Sequence, residues 1–479
     1  MGFVISSNNV YLCDRKPFTP IKTDMLMKKL LLTLAVGLLL FTACDPNKDK
    51  TNYQLPDVPE VVMYQVNPRV FAPDHSLNAV TARLDSIKDL GVNVIWIMPI
   101  YPIGEEKTKN SPYSIKNYKE VAPEFGTKED FKQLTKSAHE RGMAVILDWV
   151  GNHTAWDALW LKEQGHKDWY TQDSAGNIIF PPGTDWTDVA DLNYDNKDMR
   201  AAMVDAMKFW IVDMGLDGFR CDVADWVPVD FWKDAIGQLR EAAKPRKILM
   251  LAEGNRPDNF KAGFDMNYAW DFKNDLVKVF TKDAAASELF RSSKQEYDSI
   301  PEGKMKLRFT TNHDHSNEIT PVKEFVNDRG SMAAWVSAVM LKGGPLIYGS
   351  QEVGYPDPIN FFKYVPVDWS ANPEMYQEYK RLIGIYNNHP ALRRGDLKAY
   401  PDKDVLMFTR TKDDEAILVI VNVRNAESKV KLPEDWRLVK NDDLLNEGIV
   451  NLEPEMVLPP FDYRIYKRMP LDVDAKKKK

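Results

Sequence analysis

The chain repeats one unit: a short and almost wholly apolar run, a stretch with helical spacing, then another apolar run. Residues 61–66 and 92–98 are two such runs. Between them Leu77, Val80, Leu84, Ile87 and Leu90 recur at helical spacing, and Gly91 follows as a stop. A second helical pattern over residues 131–139 leads to a run at 143–147, and later runs fall at 216–223, 247–252, 264–268, 307–311 and 345–348. Further helical patterns cover 199–213, 231–243 and 331–341. Strands that are apolar at consecutive positions must be covered on both faces, as in parallel sheets under helices. Eight such strands, near residues 61, 93, 143, 216, 247, 264, 307 and 345, predict an α/β fold closed as a (β/α)8 TIM barrel.

The rhythm breaks in two places. Residues 154–195 are rich in Trp, Asp, Gly and Pro, too long for a plain loop, and predict a small inserted domain after the third strand. After His389 the pattern turns to short alternating runs at 405–410, 416–423, 427–432 and 456–466. These predict a C-terminal antiparallel β-domain, a sandwich over 391–470, behind a catalytic barrel spanning 60–390 and before a tail at 471–479. A length of 479 residues suits a large barrel with an appendage, and 44% hydrophobic with 28% charged residues is ordinary for a soluble globular chain. The net charge is −7, and basic residues cluster only in the C-terminal lysine run, so no nucleic-acid partner is expected. Thirteen Trp and 19 Tyr are mostly core material, with some expected as flat platforms for sugar rings.

The N-terminus carries its own signals. Met27-Lys28-Lys29 precedes an apolar run from Leu30 to Phe41, too short to span a bilayer, and the run ends Phe41-Thr42-Ala43-Cys44. Residues 27–43 are therefore expected to be a signal peptide, and 1–26 a leader outside the mature protein. The cleavage region resembles a bacterial lipobox, which implies acylation of Cys44, a tether over 44–59, and an exported protein held to a membrane. An ordinary signal peptide cut nearby is the alternative. Of the three cysteines, Cys13 lies in the leader, Cys44 is the lipid site and Cys221 is inside an apolar strand, which leaves no disulfide pair.

Chemistry-bearing residues stand where the strands end. In Gly218-Phe-Arg-Cys-Asp-Val-Ala-Asp225 the period-two alternation puts Arg220 and Asp222 on one face. Two readings fit that pair: a salt bridge at a strand end, or a carboxylate held ionised by its cation for attack on a sugar carbon. Asp148 with Asn152-His153, Glu253, and His313-Asp314 occupy three other strand ends. Taken alone, Asp148 reads equally as a structural carboxylate, His153 as a satisfied core histidine and Tyr113 as packing. Four clusters from four parts of the chain, all at the catalytic end of a barrel, favour an active site.

These segments carry a resemblance. Asp148-Trp-Val-Gly-Asn-His153, Gly218-Phe-Arg-Cys-Asp222, Glu253 and Asn312-His-Asp314 resemble, in order, the four signature regions of the α-amylase family of glycoside hydrolases. The segment around Tyr113, Val189-Ala-Asp-Leu-Asn193 and Tyr348-Gly-Ser-Gln-Glu352 are similar to further family motifs, so the likeness runs from about Val61 to Leu392. It implies a retaining α-glucan hydrolase cleaving α-1,4 links in starch or maltooligosaccharides. Asp222 would be the nucleophile, Glu253 the general acid and then base, and Asp314 the ligand of the sugar's 2- and 3-hydroxyls. Arg220 would keep Asp222 ionised with a lowered pKa, while Glu253, with no cation next to it in sequence, would have a raised one. His153 and His313 would bind the same sugar, Asp148 would support the site and Tyr113 would stack beneath the ring. Asn152 and Asp191 match positions that hold calcium in many members, which makes calcium a candidate cofactor.

The chain also departs from the family. Asp225-Trp226 stands where starch-cleaving members often have Lys-His on the leaving-group side, and Pro112 and Ser114 flank Tyr113 where Gly and Asp are common. A cyclomaltodextrinase or neopullulanase-like hydrolase, or a transglycosylase, is the alternative within the same chemistry. A non-catalytic glucan-binding lipoprotein is a third reading, and such a descendant is expected to have lost one of Asp222, Glu253 and Asp314. All three are present.

Overall fold

A parallel strand buried on both faces needs a neighbour on each edge, and closure into a ring supplies one to every strand. The computed structural model describes residues 53–470. Its ring is built from β1 (Met63–Val66), β2 (Val94–Ile97) and β3 (Ala144–Val150). Two short strands, β4 (His153–Ala155) and β5 (Val189–Asp191), pair with each other outside the ring. The ring then continues with β6 (Gly218–Asp222), β7 (Leu249–Ala252), β8 (Met266–Tyr268), β9 (Met305–Arg308) and β10 (Gly344–Tyr348), which returns to β1. All eight contacts are parallel, as the apolar runs predict.

The alternation explains why these strands read as continuous apolar runs. Met63, Val94, Trp96, Ala144, Ile146, Leu249 and Leu251 form the inner cluster, while Tyr64, Ile95, Ile97, Val145, Leu147 and Met250 belong to the outer one under the helices. Both faces are core. Gly218 marks the tightest approach: its φ is +148°, and a Cβ there would stand 1.8 Å from Leu249 O.

Helices Lys128–Glu140, Lys197–Val212, Val229–Ala243 and Asp328–Leu341 match the expected positions. Thr127 and Asp130 form a reciprocal capping box at the first of them, and Asn196 caps the second. The pattern over residues 77–90 differs from a single helix. It forms two, Ser76–Ala82 and Leu84–Asp89, broken at Arg83. Thr81 Oγ1 donates back to Leu77 O at 2.8 Å, a bond that competes with the helical ladder and bends it.

The C-terminal part has more strands than its sequence pattern shows. β11 (Asp396–Tyr400), β12 (Val405–Lys412), β13 (Glu415–Asn422), β14 (Ser428–Lys431), β15 (Lys440–Asp443), β16 (Ile449–Asn451), β17 (Glu455–Leu458) and β18 (Tyr463–Arg468) make a six-stranded antiparallel sheet, β11-β12-β13-β18-β15-β16, and a β14–β17 ribbon. The strands β11 and β15 escape the pattern because they are largely polar, and β16 because it is a three-residue, mostly exposed strand at the sheet edge. The run 456–466 is two strands, split by Pro459 and Pro460. Leu406, Phe408, Ile417 and Val419 join the barrel's outer core, whereas Val405, Met407, Leu418 and Ile420 pack around Trp436 on the opposite face.

The stretch read as a tether, residues 44–59, is described from Tyr53 onward and is packed there. The Tyr53 ring stacks on His139 with centroids 4.2 Å apart, and Leu55 and Val58 lie against the inner barrel cluster. Apolar residues interleaved with prolines make this segment part of the barrel floor. Cys44, the signal peptide at 27–43, the leader at 1–26 and the tail at 471–479 lie outside the described residues. Among the described residues, no helix is long and apolar enough to cross a membrane.

Candidate active site

Register builds the site. β3 and β6 pair with Asp148 opposite Arg220 and Val150 opposite Asp222, so two side chains that are distant in sequence share one level of the barrel. Arg220 is fully buried there. Its Nη1 donates to Asp148 Oδ1 and to Asp222 Oδ1, both at 2.8 Å, and its Nε donates to the Tyr268 hydroxyl at 3.1 Å. Its Nη2 lies 2.8 Å from Glu253 Oε1 but off the N–H direction, which makes this a close charge contact rather than an aligned hydrogen bond. One guanidinium therefore touches three carboxyls. Glu253 follows β7, and its second oxygen accepts the Val223 N–H at 2.7 Å. Val223 is held at φ +34°, a costly backbone for a β-branched residue, and this turn aims its N–H at Glu253.

The other candidates converge on the same place. Asp222, Glu253, Asp314, Tyr113, His153 and His313 line one pocket of about 350 Å³ at the mouth of the barrel. Asp148 and Arg220 lie beneath it with fully buried side chains. The Asp314 side chain is 46% exposed, with Oδ1 3.2 Å from His313 Nε2. The Tyr113 hydroxyl is 2.7 Å from His313 Nε2 and donates to Asp148 Oδ2 at 3.2 Å, and its ring stacks on His313.

Several participants are not visible as chemistry in the sequence. Gln65 Nε2 lies 2.8 Å from His313 Nδ1, and Trp96 Nε1 donates to Asp148 Oδ2 at 3.0 Å. Both sit inside apolar strand runs, where nothing separates them from core. Lys109, Trp186, Asp188, Phe361 and Phe362 also line the pocket, all from irregular segments with no periodicity to read. Asp225 does not line it. Its carboxylate accepts from Asn255 N at 3.0 Å and Asn259 Nδ2 at 2.9 Å, so it braces the loop after Glu253. Trp226 is 52% exposed and stacks on Trp186.

The electrostatics correct one expectation. Arg220 does not hold Asp222 below the usual carboxylate range. Burial pushes Asp222 up to about 7 against the pull of Arg220, and the Asp148 charge adds to the rise. One cation divided among three carboxyls cannot offset the desolvation of each. Burial likewise raises Asp148 to about 6 and Glu253 to about 8, and the neighbouring Asp222 charge assists at Glu253. The expected order survives, with Glu253 the last of the three to release its proton. Burial lowers His153 and His313 to about 4, so both rings are neutral near pH 7.

The expected calcium position offers two side-chain ligands, Asn152 and Asp191, short of a full shell. Calcium takes six to eight oxygens. Asn152 offers an amide and Asp191 a half-buried carboxylate raised by burial. The neighbouring backbone carbonyls already have partners. Tyr118 OH donates to Val150 O and His153 O, Tyr194 OH to Gly151 O, and Leu192 N to Asn152 O. Among the described residues no three His, Cys, Asp or Glu side chains gather as a metal site.

The family model for the α-amylase catalytic domain matches residues 65–394, which contain every strand of the ring from β2 to β10 and all the pocket's acids. The chain belongs to the α-amylase family. Among family proteins, it is 33% identical to a probable oligo-1,6-glucosidase of Bacillus subtilis over 85% of this chain and 98% of that one. It is 26% identical to a cyclomaltodextrinase of Geobacillus thermopakistaniensis over 86% and 78%. It is 27% identical to the α-amylase MalA of Haloarcula japonica over 78% of this chain, and it spans only 56% of that longer relative. The crystal structure of a noncanonic maltogenic α-amylase from Thermotoga neapolitana superposes with a TM-score of 0.76 at 25% identity, covering 86% of this chain and 99% of that one.

Proposed function

We propose that this protein hydrolyses α-1,4-glucosidic bonds in starch-type oligosaccharides with retention of configuration. The observation that carries the proposal is the single guanidinium of Arg220 in contact with Asp148, Asp222 and Glu253 beneath a sugar-sized pocket. Carboxyls that reach one guanidinium are close together, which favours the spacing of about 5–5.5 Å used for retention over the wider one used for inversion. In the first step Asp222 attacks the anomeric carbon while Glu253 gives its proton to the departing glycosidic oxygen. In the second, ionised Glu253 takes a proton from water, the water attacks the same carbon, and the Asp222 ester bond breaks. Asp314, His153 and His313 hold hydroxyls of the ring being cleaved, and Tyr113 supports its underside.

Relatives named α-amylase, cyclomaltodextrinase and oligo-1,6-glucosidase support an α-glucan as substrate. The cyclomaltodextrinase likeness keeps a second reading in play, a hydrolase or transglycosylase acting on cyclic or branched glucans. Chromatography of products from starch, pullulan and cyclodextrin separates the two. Asp222→Asn is expected to lower kcat by at least about 10⁴-fold while glucan binding persists. Unchanged turnover in that variant refutes the mechanism. The lipid anchor is proposed on the sequence of residues 27–44 alone, and mass spectrometry of the mature N-terminus tests for acyl-Cys44.

A further inference from the structure

Resting on that reading, we infer that the enzyme attacks glucans from the non-reducing end, because a continuous wall closes the cleft on the side away from Glu253. The leaving group departs towards the acid that protonates it. That acid follows β7, which stands across the ring from β1, so the retained end of the sugar chain points towards the loops on either side of β1, those after β2 and β10, with the segment inserted after β3 packed against the first of them.

Those three loops are bolted together. On one flank, the loop after β2 meets the inserted segment after β3. Lys109 Nζ lies 3.4 Å from Asp188 Oδ1 and donates to Asp185 O at 3.3 Å. Lys107 Nζ sits 3.4 Å above the Trp156 ring, whose Nε1 donates to Thr187 O at 3.0 Å. On the other flank, the same loop meets the segment after β10. Asn110 Nδ2 donates to Phe362 O at 2.5 Å. The buried Arg69 donates from Nη1 to both Asn110 O at 2.9 Å and Phe361 O at 3.1 Å, and Glu124 fixes Arg69 through two further bonds at 2.7 and 2.9 Å.

The wall stands at the pocket itself. Lys109, Asp188, Phe361 and Phe362 line the same cavity as Asp222 and Glu253, and its 350 Å³ is at the small end of the roughly 300–1,000 Å³ of ligand sites. Asp188 is only 6% exposed, and among the described residues its carboxylate accepts no hydrogen bond, having only the lysine contact. A buried acceptor left open at the closed end of a sugar pocket is suited to the terminal hydroxyls of a chain end. A longer chain would have to pass through the place where Lys109 meets Asp188.

The test uses maltoheptaose labelled at its reducing end, with the non-reducing end either free or capped by a 4,6-O-ethylidene group. The free oligosaccharide is expected to lose one glucose at a time, and the capped one to be cleaved at least about 100-fold more slowly. The double variant Lys109→Ala, Asn110→Ala is expected to narrow that ratio by about 10-fold or more, because it removes the Lys109–Asp188 contact and the Asn110–Phe362 bond, one fastening from each flank beside the pocket. Internal cleavage of the capped substrate by the wild type at a comparable rate overturns the inference and leaves glucan hydrolysis standing. An unchanged ratio in a folded double variant overturns the role of the wall. Cleavage of neither substrate overturns the hydrolase reading and this inference with it.

Discussion

Arg220 is one cation among three carboxyls, and its neighbours' protons follow from that imbalance. In the mechanism proposed above, Glu253 starts protonated and Asp222 ionised. With Glu253 raised to about 8 and Asp222 to about 7, kcat/KM is expected to trace a bell centred near neutrality, its limbs belonging to the cluster as a whole. An acidic optimum, measured on a soluble maltooligosaccharide, would contradict it. The same groups bear on stability. The folded chain holds the protons of Asp148, Asp222 and Glu253 more tightly than the unfolded chain does, so their contribution falls as pH rises from the ordinary carboxylate range, about 4, to the raised values of about 6 to 8. His153, His313 and His315, lowered to about 4, act the other way, but only between about 4 and their ordinary 6.5. Above that the carboxyls act alone. Glu253→Gln is therefore expected to melt about 1–3 °C above wild type near pH 8.5, with the gap narrowing as pH falls below 8 and closing near 4.5, as read by calorimetry. The acids and their arginine were legible in the sequence because each ends an apolar run. Gln65 and Trp96 were not, since inside a strand a polar or aromatic residue looks like any other core position until its partner is known.

At the scale of elements, the loop after β7 decides how Glu253 is held. Gly254 follows it at φ +153°, and a Cβ there would stand 2.1 Å from Asp225 Oδ1. Gly254→Ala must move either the loop or Asp225, whose carboxylate anchors the next turn. It is expected to lower kcat/KM by about 10²-fold, since a shift of about 1 Å at a catalytic group costs that much. A Tm loss that is small beside the activity loss would locate the damage in the loop, whereas full activity would show that it tolerates the shift. The ring of strands was readable from hydrophobic pattern alone, because both faces of each strand are core. The pocket's rim was not. Lys109, Asp188 and Phe362 sit in segments whose conformation is set by contacts between loops, and such contacts leave no periodic trace. Edge strands such as Asp396–Tyr400 were invisible for a related reason, being largely exposed and carrying no apolar alternation.

Across the whole molecule, the C-terminal sheet is joined to the barrel rather than appended to it. Arg410, fully buried on β12, donates to Leu341 O at the end of helix Asp328–Leu341 and to Gly395 O. Arg410→Ala leaves both carbonyls buried without that donor, at about 1–3 kcal/mol each, and is expected to lower Tm by about 2–6 °C with kcat unchanged. A drop in kcat at full Tm would show that the junction reaches the active site. The antiparallel β-domain was foreseen from the alternation at 405–410, 416–423, 427–432 and 456–466, but its attachment was not, because alternation says that a face is apolar and not what covers it. The structure supplies the answer: Leu406, Phe408, Ile417 and Val419 belong to the same apolar mass as the barrel helices. Neither part can lose its order while the other keeps a dry surface, so heat should melt the two as one cooperative block.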